Sequence, residues 1–248
     1  MNILPRRILV AVDFGQASAR AVTLAGELAS RTGAALSLLH AESFDVPPYF
    51  TPAQVRVIES EERANAKRAS DYLVKFGRRL TTQPFAALIE SRVAANAILH
   101  ASKQADLIVM GTHGRRGPSR WWLGSVAERV LQETDIPLLV VHDDAAVPSP
   151  EPAFARGLLL AGGAVATDRT TRLAAEIAER MSGTVTAVTG DEEPASAKAR
   201  LGATWVAAPV PVPMTPAWRS HVGARLLQSC ALPVLFVPEA DGGPSHDR

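Results

Sequence analysis

The stretch 107–128 limits the possible folds of this chain more than any other part of the sequence. An apolar run over 107–110 leads directly into Gly111-Thr-His-Gly114, and a helical pattern follows Gly124-Ser125. Glycine lets backbone N–H groups approach a ligand closely, and the first turn of a helix offers unpaired N–H donors and a partial positive charge. A buried strand, a glycine-rich loop and a helix start, in this order, predict a site that binds phosphate.

The glycine spacing excludes the two commonest phosphate-binding motifs. The lysine of the Walker A motif is missing, and the separations do not fit G-x-G-x-x-G. The segment instead reads G-x2-G-x9-G-S, from Gly111 and Gly114 to Gly124 and Ser125. This pattern resembles the ATP-binding signature of the universal stress protein family, and the flanking residues 105–110 and 126–130 also resemble those of its members.

The resemblance covers residues 6–141 well and residues 156–238 weakly. It implies that a nucleotide, usually ATP, lies across the carboxyl ends of the first and fourth strands. Asp13 would contact the adenosine, and the backbone of Ala41 would form hydrogen bonds with the adenine. Asp13 also has a simpler interpretation, because an aspartate after a strand can start the turn into the next helix.

The resemblance places the phosphates at the glycine-rich loop. Gly111 and Gly114 would lie near the ribose and phosphates, Arg115 could clamp a phosphate, and the phosphate oxygens would be held by Gly124, Ser125 and Val126. Bound ATP usually carries a metal such as Mg²⁺, but the sequence identifies no acidic cluster for one beyond Asp13. Ser125 and Glu128 also form a Ser-x-x-Glu capping box, which would stabilise a helix start without any ligand.

The sequence shows no set of residues suited to efficient catalysis. His113 lies in the loop without a nucleophile or carboxylate placed beside it, and no water-positioning carboxylate can be named. We therefore expect a nucleotide-dependent regulatory protein with slow or no ATP hydrolysis, at most a slow ATPase, acting on an unknown protein partner. The alternative is an interaction module that binds no nucleotide, its site occluded by Pro118, Trp121 and Trp122.

Apolar runs alternate with helical patterns along the chain, which predicts a doubly wound parallel sheet. The family resemblance implies that this sheet is of the Rossmann-like, adenine-nucleotide alpha hydrolase-like type. In the first part of the chain the predicted strands cover residues 8–12, 35–40, 85–89, 107–110 and 138–141. The predicted helices cover residues 16–32 and 94–102, together with a long helix that opens at Thr51-Pro52.

The pattern then restarts after a proline-rich segment. Leu173-Ala-Ala-Glu-Ile-Ala repeats Leu24-Ala-Gly-Glu-Leu-Ala, and the run after Leu232-Pro233 repeats the run after Ile136-Pro137. Such self-similarity indicates an internal duplication. We expect two tandem domains: a nucleotide-binding domain over 1–142, a linker over 143–155, a truncated second domain over 156–240 and a disordered tail over 241–248.

The second copy lacks the residues that would bind a nucleotide. Gly163 stands where the first copy has Asp13, and residues 209–220, in place of the glycine-rich loop, contain no glycine and several prolines. Proline removes N–H donors, so we expect this domain to be degenerate. The family resemblance implies that the last strands, over 137–141 and 233–237, pair with each other, either within one chain as a pseudo-dimer or between two copies as a homodimer.

Composition excludes several classes of protein. A formal net charge of +1 argues against a nucleic-acid-binding or membrane-surface protein, and 47% hydrophobic with 21% charged residues fits a globular one. One cysteine, Cys230, allows no intrachain disulfide. No apolar run approaches the roughly 20 residues that span a bilayer, and the first run is too short for a secretory signal. We therefore expect the cytoplasm.

Overall fold

The computed structural model describes residues 3–42, 52–112, 124–142, 152–161, 168–189, 194–212 and 232–240. Along the chain they form β1 (Arg7–Ala11), α1 (Gln16–Thr32), β2 (Ala35–Ala41), α2 (Pro52–Leu80), β3 (Phe85–Glu90), α3 (Ala94–Ser102), β4 (Leu107–Gly111), α4 (Ser125–Glu133), β5 (Leu138–Val141), β6 (Arg156–Ala161), α5 (Asp168–Arg180), β7 (Thr184–Thr189), α6 (Pro194–Leu201), β8 (Trp205–Val212) and β9 (Val234–Ala240). The predicted α/β class with a largely parallel sheet is confirmed.

The elements up to β5 follow the sequence prediction closely. α1, α3 and β5 have the predicted bounds. The predicted strands for β2, β3 and β4 end one residue before the observed ones, and the predicted first strand, 8–12, is shifted by one residue from β1. β5 is a continuous apolar run that is buried throughout, as expected for a strand covered on both faces. α1 ends at Gly33, whose φ of 74° is the left-handed conformation that terminates helices.

The described strands form one nine-stranded sheet in the order β3-β2-β1-β4-β5-β9-β8-β6-β7. β1 lies between β2 and β4 and is parallel to both. The chain therefore leaves β1 toward one side of the sheet for β2 and β3, and returns on the other side for β4 and β5. This reversal of strand order opens a crevice at the carboxyl ends of β1 and β4, where doubly wound folds bind ligands.

Helices cover both faces of the sheet because neighbouring residues of a strand point to opposite sides. Ile8 and Val10 of β1 pack in an apolar cluster with buried residues of α1, α2 and α5. Leu9 packs in a second cluster with residues of α3, α4 and α6. Central strands such as β4 and β5 are thus held between two apolar layers, whereas the outer strands β3 and β7 have exposed residues.

The seam of the sheet is the antiparallel pair of β5 and β9, in which Leu138 faces Phe236, Leu139 faces Leu235 and Val140 faces Val234. Those six side chains are buried. The predicted pairing of the last strands is therefore formed within one chain. Beyond the seam, β9, β8, β6 and β7 are parallel to one another.

Outward from the seam, the strands follow in the order β5, β4, β1, β2 on one side and β9, β8, β6, β7 on the other. On each side the last strand along the chain lies at the seam, and the first strand along the chain lies third from it. In the described residues, α6 is the element between β7 and β8, whereas α2, β3 and α3 lie between β2 and β4. No helix of the described residues has the length and apolar character needed to cross a membrane.

Candidate functional site

Three of the predicted site residues lie at one edge of the sheet. Ala41 is the last residue of β2, Gly111 is the last residue of β4, and Asp13 follows β1 by two positions. Since β2, β1 and β4 are adjacent and parallel, their carboxyl ends stand side by side. The fold thus places Asp13, Ala41 and Gly111 together at the crevice where the strand order reverses.

Asp13 builds the turn that leads into α1. Its Oδ1 accepts a hydrogen bond of 2.9 Å from the backbone N–H of Gly15, which is the residue at the N-cap of α1. Asp13 is therefore a turn residue, as in the simpler interpretation, and this role does not exclude contact with a ligand. Asp13 is only partly buried, and this bond uses one of its two carboxylate oxygens. A carboxylate has further acceptor positions for a ligand hydroxyl.

Phe14 anchors the same turn, a feature that the sequence analysis did not identify. Its φ of 62° lies in the left-handed region, which costs a side chain of this kind about 1–3 kcal/mol. Aromatic packing offsets that cost, since its ring centroid lies 4.4 Å from that of His40, 4.7 Å from that of Tyr72 and 5.3 Å from that of Phe76. A positive φ outside glycine leaves no signal in the sequence.

His40 connects this aromatic cluster to the end of β1. Its Nδ1 lies 2.7 Å from the carbonyl oxygen of Val12, and because a carbonyl only accepts, Nδ1 carries the proton. Val12 in turn donates its backbone N–H to Leu39 at 2.8 Å. The backbone on either side of Asp13 is thus fixed from β2, which positions the carboxylate before any ligand arrives.

Gly111 has a packing role at the end of β4. A Cβ on this residue would lie 2.7 Å from Cβ of Ala17 and 3.3 Å from the backbone nitrogen of Ser18. Such contacts are too short, so the first turn of α1 can approach β4 only because this position is glycine. The close approach brings the start of α1, and with it the Asp13 turn, against the end of β4.

The start of α4 is tied to the same edge by backbone hydrogen bonds. The N–H of Gly124 donates to the carbonyl oxygen of Thr112 at 2.7 Å, and the N–H of Thr112 donates to Val141 at 2.9 Å. α4 therefore begins directly at the ends of β4 and β5. The first N–H groups of a helix have no acceptor within the helix, so Ser125 and Val126 present donors at the sheet edge.

The predicted capping box between Ser125 and Glu128 is wrong. Gly124 occupies the N-cap position, Ser125 is the first helical residue, and no side chain caps the helix. In a capping box the glutamate bonds to the N–H of the N-cap residue, but here that N–H belongs to Gly124 and donates to Thr112. A Glu128 carboxylate oxygen instead accepts a hydrogen bond from Gln132 at 3.2 Å.

Other residues singled out from the sequence lie outside the described residues. These are His113, Gly114, Arg115, Pro118, Trp121, Trp122 and Gly163. Within the ranges that the structure describes, no group of three or more His, Cys, Asp or Glu side chains could hold a metal ion. The members of the predicted site that the structure describes are therefore Asp13, Ala41, Gly111, Gly124, Ser125 and Val126.

Comparison with known families decides the classification. The model of the universal stress protein family matches residues 5–142, which is more than half of the 248 residues. The chain belongs to the universal stress protein family. The matched region of this universal stress protein ends one residue beyond β5, so it contains every described residue of the crevice.

Two relatives support the same assignment. A universal stress protein of Thermus aquaticus is 34% identical over 146 residues, which are 55% of this chain and 98% of the relative. A universal stress protein of Mycolicibacterium smegmatis is 34% identical over 137 residues, 54% of this chain, and this match spans only 45% of the relative's length. Both similarities cover little more than half of the chain.

A solved structure extends the likeness of fold to the rest of the chain. The crystal structure of a universal stress protein from Archaeoglobus fulgidus matches with a TM-score of 0.63 at 16% identity, covering 96% of this chain and 97% of that one. At this identity the match establishes the fold alone. That fold therefore includes the strands that follow residue 142.

Proposed function

We propose that this universal stress protein binds one molecule of ATP at the carboxyl ends of β1, β2 and β4, and that occupancy regulates its contacts with a protein partner. The observation that carries the proposal is the hydrogen bond from Gly124 to Thr112 at 2.7 Å. It holds the donor end of α4 at the same sheet edge as Asp13, so groups suited to both ends of a nucleotide share one crevice.

Each described residue has a separate part in this proposal. The second carboxylate oxygen of Asp13 accepts a hydrogen bond from the adenosine, and the backbone of Ala41 recognises the adenine. The N–H groups of Ser125 and Val126 hold phosphate oxygens, because the N–H of Gly124 already donates to Thr112. Gly114 and Arg115, outside the described residues, complete the phosphate end, and Mg²⁺ is bound mainly by the phosphates.

The arrangement favours binding over turnover. Asp13 is engaged in the turn at the start of α1, and the described residues contain no cluster of potential metal ligands. Phosphoryl transfer needs a group that positions the attacking water and cations that stabilise the developing charge. We therefore propose a nucleotide-dependent regulatory protein with slow or no ATP hydrolysis.

We further propose that residues 156–240 are a second, degenerate copy of the same domain. Arg20 donates to the carbonyl of His142 at 3.2 Å, and Arg169 donates to the carbonyl of Pro238 at 2.9 Å. These pairs are equivalent in the sequence repeat: each arginine stands four residues before Leu24 or Leu173, and each acceptor five residues after Pro137 or Pro233. Equivalent bonds between the first helix and the end of the last strand of each copy support a duplication. In this proposal the second copy covers the edge of β5, which would otherwise be exposed.

One ATP per chain is the expected result when the nucleotide-free protein is titrated with ATP and Mg²⁺ in a calorimeter. Only the first copy carries the glycine spacing and Asp13, so a second site is not expected. A stoichiometry of two would contradict a degenerate second copy. No heat of binding from folded protein would overturn the proposal in favour of an interaction module, and turnover above about 1 per second, the lower range of ordinary enzymes, would contradict a regulatory role.

Substitutions at Asp13 are expected to separate its two roles. Asp13→Asn retains an oxygen that can accept the Gly15 N–H, whereas Asp13→Ala loses it, so only the alanine variant should lower the midpoint of urea unfolding. Both variants should weaken ATP binding about tenfold, because each removes an acceptor for the adenosine and a charged hydrogen bond contributes about 1.5–3 kcal/mol. Full affinity in the asparagine variant would show that Asp13 acts only through the turn.

A further inference from the structure

A cavity of about 620 Å³ lies at the seam of the sheet, at the opposite strand ends from the proposed nucleotide site. We call it the seam cavity. Its walls come from the segment before β1, the starts of β4 and β5, and the first turns of α5, so both halves of the sheet contribute. Its lining residues are Ile3, Leu4, Pro5, Arg6, Arg7, Asp106, Leu107, Ile136, Pro137, Arg169 and Leu173.

The wall formed by residues 3–7 is fixed by hydrogen bonds at both ends. Asp106 Oδ2 accepts the backbone N–H groups of Arg6 and Arg7 at 3.0 and 2.9 Å, and Asp106 Oδ1 accepts from the Arg7 guanidinium at 3.3 Å. At the other end, the N–H of Ile3 donates to Glu176 of α5 at 3.3 Å. A wall ordered in advance lowers the entropy lost when a ligand binds.

The charges of the seam cavity favour an anion. Among the described lining residues, Arg6, Arg7 and Arg169 are cationic and Asp106 alone is acidic. Asp106 accepts hydrogen bonds from the backbone N–H groups of Arg6 and Arg7 and from the Arg7 guanidinium. Arg169 donates from Nη1 to the carbonyl of Pro238 at 2.9 Å. A guanidinium has five N–H donors, so this bond orients Arg169 and leaves further donors for a ligand.

The rest of the lining is apolar. Ile3, Leu4, Leu107, Ile136 and Leu173 line the same cavity as the three arginines, and Leu107 and Leu173 are almost completely buried. Small-molecule sites typically have a volume of about 300–1,000 Å³ and combine an apolar lining with a few polar groups that fix the orientation of the ligand. The seam cavity has both parts and lies within that range of volume.

We propose that the seam cavity binds an organic anion with an apolar body and a carboxylate or phosphate at one end. The apolar body packs on Leu107, Ile136 and Leu173, and the anionic end meets Arg6 and Arg169. None of the lining residues that the structure describes belongs to β6 or β8, so the seam cavity is distinct from the position in the second half that corresponds to the nucleotide site. The proposal does not depend on the binding of ATP.

The test titrates the full chain with octanoate and with octyl phosphate in a calorimeter, using octanol and octyltrimethylammonium as matched probes without an anion. One site per chain is expected for at least one anion, and whichever anion binds more tightly identifies the head group. Octanol and the cation should bind at least about fivefold more weakly, as expected for the loss of about 1 kcal/mol of charge interaction. No anion binding at millimolar concentration, or equal binding of octanol, would overturn the proposal.

Two variants locate the binding. Arg6→Glu reverses an exposed charge of the lining, and Arg169→Gln removes a charge while keeping a donor for Pro238. Each should weaken anion binding about fivefold or more, while Arg31→Glu, on the exposed end of α1, should leave it unchanged. Equal affinity in all three variants would place the anion elsewhere. Titration of the same variants with ATP keeps the two proposals separate, because ATP binding is expected to be unchanged. A variant that loses ATP binding but keeps anion binding would contradict the proposed nucleotide site and not the proposal for the seam cavity.

Discussion

Replacing Leu235 with aspartate is expected to lower the free energy of unfolding by about 4 kcal/mol or more, or to prevent folding. Leu235 lies opposite Leu139 in the antiparallel pair of β5 and β9, and each is 1% exposed. An aspartate there would place an unpaired carboxylate among apolar side chains from both halves of the sheet. Burial of an unpaired charge is among the most destabilising single changes known.

Urea unfolding followed by circular dichroism measures this effect, with two further variants as references. Leu88→Asp makes the same chemical change on the edge strand β3, where Leu88 is 37% exposed, and should cost less than about 1 kcal/mol. Leu235→Ala keeps the seam apolar and should cost about 2–5 kcal/mol, which gives a measurable value if the aspartate variant does not fold. Similar losses for the aspartates at 88 and 235 would contradict a buried seam.

The sequence predicts the parallel sheet of the first half well, for a clear physical reason. β4 and β5 lie between two helical layers, and this environment requires continuous apolar runs such as Leu107-Ile-Val-Met110 and Leu138-Leu-Val-Val141. α1 has apolar residues at helical spacing and ends at a glycine. Because local patterns of this kind extend over several residues, they predict whether a segment is a helix or a strand and approximately where it begins and ends.

The details of the crevice depend on contacts that local patterns do not contain. The capping box was predicted because Ser125 and Glu128 have the right spacing, yet the N–H of Gly124 donates to Thr112, across the glycine-rich loop. Gly111 was assigned to the ligand from its motif, while its nearest constraint is Ala17 of α1. Residues far apart in the chain decide both features.

The seam cavity depends even more strongly on residues that lie far apart in the chain. Ile3 and Glu176, whose hydrogen bond fixes one wall, are 173 positions apart in the chain. Arg6 precedes β1, Arg7 is the first residue of β1 and Arg169 belongs to α5, and no motif joins these three arginines. The pairing of β5 with β9 follows from the family resemblance together with the repeat, whereas no sequence pattern predicts the cavity beside this pair.

Ser125→Pro is expected to weaken ATP binding about tenfold or more without loss of stability. Ser125 is the first residue of α4, where proline is favoured because its N–H has no acceptor within the helix. Gly124 has φ −60° and ψ 151°, the conformation that a residue before proline prefers. The change removes one phosphate donor, and a hydrogen bond to a charged group contributes about 1.5–3 kcal/mol.

Ser125→Ala is the matched control, because it removes the hydroxyl and keeps the backbone N–H. No side chain caps α4, so its unfolding midpoint should match that of the wild type, while the proline variant should gain up to about 1 kcal/mol from a less flexible unfolded chain. In calorimetric titration the alanine variant should bind ATP more tightly than the proline variant, since the N–H is the main donor. Equal losses of affinity would assign the contact to the hydroxyl, and wild-type affinity in both would show that the start of α4 does not bind phosphate.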